Sequence, residues 1–215
     1  MGDNLLSFRQ GRVSAVSTLP TGSNLKNLLI AIAAIAGLGG CTTSSKTVVT
    51  LDYYQVGGTT LEQIDKEIKD KGPRINGTVH AVAISNIKMI PDVSFIPTAN
   101  GCAVKRARIK VRANVVLPRW KNRKLADKKL GQTWDNLDRY TRLHEATHVA
   151  IADKHARRLE QKLETINIHG SCEAAGKIAK KTINRAMKSH EREQLGFDSS
   201  EKKRFARLAK RGKPS

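Results

Sequence analysis

Between Cys102 and Leu117 the chain alternates. Val104, Ala107, Ile109, Val111 and Ala113 interleave with Lys105, Arg106, Arg108, Lys110 and Arg112. A period of two predicts a strand with one buried face and one strongly basic face, which Pro118 is expected to end. Val48–Tyr54, rich in β-branched and aromatic residues, reads as an earlier strand. Another is expected from Thr78 to Ile87, where Val79, Ala81, Ala83 and Ser85 alternate with His80, Val82, Ile84 and Asn86. Ahead of it, Thr59 and Thr60 form an N-cap before Leu61-Glu62-Gln63. Leu61, Ile64 and Ile68 then recur at helical spacing until Gly72-Pro73.

From Trp134 the period lengthens. Leu137, Tyr140, His144, His148, Ile151, His155, Leu159 and Ile166 mark one stripe of a long helix, broken at residues 167–170. Glu173 to about Gln194 reads as a second helix with Ala174, Ile178, Ile183 and Met187 apolar. Gly196–Asp198 reads as a turn and Ser199–Arg211 as a basic terminal helix. Strands first and helices last predict an α+β domain: an N-terminal antiparallel-type sheet with one helix, then a helical C-terminal part.

Leu28 to Gly40 is an apolar run preceded by Lys26 and followed by Cys41. Crossing a bilayer takes about 20 apolar residues, so the run has the length of a signal-peptide core. Leu38-Gly39-Gly40-Cys41 resembles the bacterial lipobox, whose cysteine becomes the lipidated first residue; Thr42 after it implies the outer membrane. The polar stretch from Met1 to Ser23 is longer than an ordinary n-region, as a start assigned too far upstream would give. The expected organisation is a lipoprotein-type signal at 1–40, a tether at 41–47, a domain at 48–198 and a basic tail at 199–215. The protein is therefore expected to be exported, as an outer-membrane lipoprotein or in the periplasm.

The formal charge is +20, almost all of it beyond residue 40, since residues 1–40 hold only Arg9, Arg12, Lys26 and Asp3. Such a surface attracts polyanions. Export and the lack of aromatics interleaved with the cations point away from nucleic acid, leaving anionic envelope polymers or lipid as candidates. Export also makes a disulfide the expected state of Cys102 and Cys172, closing a loop of about 70 residues.

The chemistry centres on His144-Glu145-Ala146-Thr147-His148. Residues four apart lie one turn along a helix and about 40° around it, so two imidazoles can hold one metal ion from the same side. Glu145 beside the first stands where a general base for a zinc-activated water would. This His-Glu-x-x-His spacing is the zincin motif. A third ligand is required. His155 is about 10 Å further along the helix, too far to share the ion with His148. Asp198, Glu173 and His190 are the candidates, with Glu191 behind them.

Taken together, Cys102, Val115-Val116-Leu117-Pro118-Arg119-Trp120, Trp134, Leu137, His144-Glu145-x-x-His148 with Ile151-Ala152, and Cys172 resemble the bacterial predicted secreted zinc-dependent proteases, over roughly Val48 to Asp198. The resemblance implies a metallopeptidase-like fold, export, a zinc cofactor and peptide or protein substrates. In that family an aromatic-Asp pair and a Thr-x-His-Gly follow the second helix. Phe197-Asp198 matches the first part, while Glu201, Lys202, Lys203 and Arg204 replace the rest. Asp198 is therefore favoured as third ligand. The expected function is an exported zinc peptidase in which a bound peptide pairs with a sheet edge beside the helix. The alternative is a non-catalytic envelope lipoprotein with a degenerate metal site and a basic binding surface.

Overall fold

A computed structural model describes residues 46–75 and 79–211. The apolar run Leu28–Gly40, Cys41 and most of the expected tether lie outside the described residues. The described residues up to 199 form one compact unit; the described part of a second unit is the helical stretch 200–211, where Arg204 pairs with Glu201 across 2.9 Å.

The fold is α+β as expected, but the sheet is mixed. β1 (Thr47–Val56) pairs parallel with β5 (Gly101–Trp120), and β4 (Ile84–Thr98) pairs antiparallel with β5 on its other side. The order is β1-β5-β4, with the short β6 (Asn167–Ile168) against the start of β5. β2 (Arg74–Ile75) and β3 (Val79–His80) form a separate ribbon. The strand expected at Thr78–Ile87 is thus two elements, and the second runs on to Thr98. Pro91 and Pro97 do not stop it because β4 is an edge strand, where a missing N–H need not disturb a ladder. Pro118 does not end β5 either. It lies beyond the last β4 partner pair, Ile84–Val116, so only β1 flanks it.

The alternation in β5 holds: Ala107, Ile109, Val111, Ala113 and Val115 are buried, while Arg106, Arg108, Lys110 and Arg112 are exposed. The β4–β5 hairpin closes at Gly101, where a Cβ would come within 1.9 Å of the Ile168 carbonyl, so no larger residue fits.

α1 (Leu61–Lys71) is capped as read. Thr60 Oγ1 accepts from the Gln63 N–H, and Gln63 Oε1 accepts from the Thr59 N–H across 2.8 Å. α2 (Lys128–Glu164) starts earlier than its apolar stripe, because Asp127 caps it by accepting from the Leu130 N–H across 2.9 Å. α3 (Cys172–Arg211) is continuous. The turn expected at Gly196–Asp198 is absent: Gly196 is helical, and the roughly 1 kcal/mol that a helical glycine costs does not break a helix held by tertiary packing.

α2 and α3 pack on the buried sheet face. Ala152, Ala156, Leu159 and Leu163 of α2, with Ala175 and Ala179 of α3, meet Cys102, Ala107, Ile109 and Val111 of β5. A second cluster joins Val56, Ile64 and Ile68 to Trp120 and Trp134, whose rings lie 5.4 Å apart. Cys102 and Cys172 are disulfide-bonded, tying the start of β5 to the first turn of α3. No helix among the described residues is long and apolar enough to cross a membrane.

Candidate metal centre

The buried face of α2 takes in Ile151, His155 and Leu159 of the expected stripe, but at the motif it is centred one position on, at Thr141 and Glu145. Glu145 is accordingly the buried member of the motif, 5% exposed, and His144 and His148 sit on the flank facing a cleft. That flank is met by the last turns of α3 before residue 199. Helical spacing of four brings His190, Gln194 and Asp198 onto one side of α3.

Three donor atoms converge there. His144 Nε2 and His148 Nε2 are 3.2 Å apart, and Asp198 Oδ1 lies 3.3 Å from the first and 3.0 Å from the second. Ligand atoms of a tetrahedral zinc ion, with bonds of about 2.0–2.1 Å, sit roughly 3.3 Å from one another. The three residues fit the ion. They are also the one group of three or more His, Cys, Asp or Glu residues among the described residues whose donor atoms could share a metal.

The protonation pattern agrees. His148 Nδ1 lies 2.6 Å from Gln194 Oε1, which can only accept, so the proton is on Nδ1 and Nε2 presents its lone pair to the site. Gln194 Nε2 donates to the His148 carbonyl across 3.0 Å and to His190 Nε2 across 2.8 Å. Burial and the nearby His155 lower the His190 pKa, which keeps that ring neutral and able to accept. His144 Nδ1 is buried with no hydrogen-bond partner. Such an orphaned atom costs about 1–3 kcal/mol unless something at the same residue offsets it. Two imidazole lone pairs and a carboxylate oxygen this close repel one another until a cation or shared proton lies between them. Phe197 flanks both rings, its centroid 4.8 Å from His144 and 5.1 Å from His148.

Glu145 is held by Ser85 of β4, whose Oγ donates to Oε2 across 2.6 Å. Both line the cleft, of about 610 Å³, with the three donor residues. Its walls are mainly apolar: Ile84, Ile87, Leu137, Tyr140 and Leu195. β4, an edge strand, forms one rim.

The other sequence candidates fall elsewhere. Glu173 is exposed in the first turn of α3 and pairs with Lys177, about 37 Å along the helix from Asp198. His190 is held by Gln194 and packs on His155, outside the donor group. His155 is not a ligand; its Nε2 meets Glu193 Oε2 at 2.9 Å. Glu191 lines the cleft without joining the donors. Ser85 and Gln194 were not picked out from the sequence. Gln194 carried a signal, four residues from both His190 and Asp198, which an assumed turn at 196–198 concealed. Ser85 carried none.

A family described as bacterial protein of unknown function (DUF922) matches residues 51–204. The chain belongs to that family. Its matched span holds every residue of the candidate centre, from Ser85 to Asp198. No curated protein and no solved structure matches the chain.

Proposed function

We propose that this protein is an exported zinc-dependent peptidase. The observation that carries the reading is the convergence of His144 Nε2, His148 Nε2 and Asp198 Oδ1 within 3.0–3.3 Å, beside the buried Glu145. Three protein ligands with an open side are the arrangement of a catalytic rather than a structural zinc site, and Asp198 is the half-exposed member. When bound, zinc acts there as a Lewis acid and lowers the pKa of a water toward 7.

Glu145 accepts a proton from the attacking water and returns it to the departing amine, as general base and then acid. Ser85 fixes the carboxylate for that role. The free edge of β4 offers main-chain groups to an extended peptide. Its stretch from Ile84 to Ile90, next to the cleft, is free of proline, whereas Pro91 and Pro97 interrupt the rest. Ile84, Leu137, Tyr140 and Leu195 suit an apolar side chain beside the scissile bond.

The test uses the purified chain with metal analysis and a mixed peptide pool as substrate. One zinc per chain is expected, lost in His148→Ala, with cleavage abolished but zinc retained in Glu145→Gln. Cleavage that survives Glu145→Gln removes the mechanism. Iron in place of zinc reassigns the site, since two histidines and a carboxylate also hold iron(II). A second reading is favoured by the unpaired basic surfaces: a non-catalytic envelope lipoprotein. Zinc held with no cleavage of any peptide supports it.

A further inference from the structure

A second cluster of charge lies on the helices, apart from the metal centre. Between α2 and α3 runs a groove of about 450 Å³, whose polar lining includes His155, Arg158, Lys162, Thr182, Arg185 and Ser189. No acidic side chain lines it. Arg158, Lys162 and Arg185 are exposed and have no acidic partner among the described residues. Glu193 is engaged by Lys154 and His155.

The groove continues through Arg185 into a shallower hollow lined by Lys177, Lys180, Lys181, Asn184 and Lys188, on the face of α3 turned away from the buried Ala175 and Ala179. Lys177 alone of these is neutralised, by Glu173. Six unneutralised cations on neighbouring turns of two helices repel one another, and an anion relieves that repulsion.

We infer that this groove and the α3 face beside it bind the phosphate-bearing head groups of an anionic lipid surface. Arginine offers a bidentate fork to phosphate oxygens, lysine a mobile point charge, and Ser189 a hydroxyl. The cations are spread across two helices rather than along a single line, which suits a two-dimensional field of head groups better than one polymer strand. No Phe, Tyr or Trp lines either hollow, and His155 is buried and held by Glu193, so nucleic-acid bases find no exposed ring to stack on. The inference is independent of the metal reading.

Binding to vesicles tests it, using the full chain carrying Cys41→Ser so that no acyl chain contributes. The readout is the ratio of affinity for vesicles containing phosphatidylglycerol to that for phosphatidylcholine alone, which cancels any contribution of the apolar run Leu28–Gly40. Two charge-matched triple variants are compared. Arg158→Gln/Lys162→Gln/Arg185→Gln is expected to lower the ratio by about tenfold or more at physiological salt. Arg108→Gln/Lys110→Gln/Arg112→Gln, on the outer sheet face, is expected to lower it less than about threefold. Circular dichroism confirms that both are folded.

Equal losses in the two variants overturn the inference, because net charge alone then explains binding. A ratio near one in the parent overturns it as well. Tighter binding to duplex DNA than to anionic vesicles at the same salt reassigns the surface. Competition by inorganic phosphate at the concentration of lipid phosphate shifts the ligand from a head-group surface to free phosphate; displacement only at large excess supports the surface.

Discussion

His148 and Gln194 are joined twice: the ring Nδ1–H donates to Gln194 Oε1, and the amide of Gln194 donates back to the His148 carbonyl. The side chain on α3 thereby sets which nitrogen of a ring on α2 is free. Partners of this kind, behind metal ligands, typically change affinity by 10- to 100-fold when removed. Gln194→Leu is expected to weaken zinc binding by roughly that factor, measured by competition with a calibrated chelator. An unchanged affinity would show the pair to be mere packing.

Ser85→Ala is expected to leave one zinc per chain and to lower kcat roughly tenfold, because only the orientation of Glu145 is disturbed. Loss of zinc in this variant would mean that Ser85 supports the whole site. Steady-state kinetics alongside metal analysis separates the two.

Reduction of the Cys102–Cys172 bond, or its replacement by two alanines, is expected to lower stability by about 4 kcal/mol, since the bond closes a loop of 70 residues. Urea unfolding with and without reductant measures it. A loss under about 1 kcal/mol would show that packing of α3 alone fixes that end.

Glu160 is buried and its carboxylate accepts from the Ile109 N–H across 2.6 Å. Burial pushes its pKa above the ordinary value. A carboxyl with a raised folded pKa binds its proton more tightly in the folded state. Its contribution is therefore fully present below the unfolded pKa and is lost as pH rises through the folded one. Glu160→Gln keeps an acceptor for Ile109 and removes the charge. It should flatten stability against pH over that interval and be neutral or stabilising at pH 7, read from thermal unfolding at a series of pH values.

The local elements were legible where one residue type decides them: the Thr60 cap, the Gly72-Pro73 stop, the in-out alternation of β5. Errors arose where the partner strand decides. Pro118 reads as a break and the strand from Thr78 is expected to stop at Ile87, but Pro118, Pro91 and Pro97 each sit where the sheet does not require an N–H, and edge position is invisible in one sequence. Likewise the parallel pairing of β1 with β5 depends on a connection spanning residues 57–100. At the candidate metal centre, the motif gave His144, Glu145 and His148 by spacing alone. Asp198 followed from the family resemblance, while Ser85 needed the register of β4 on β5.

The uninterrupted course of α3 makes the distance from Cys172 to Asp198 a ruler. One end is covalently moored, the other presents an oxygen to two rings, and with Ala175 and Ala179 seated on the core the count of residues between them sets its orientation. Substitutions on the exposed face of the rod should be widely tolerated. Adding or removing one residue between the mooring and the acid would swing the carboxylate about 100° around the axis and away from the rings.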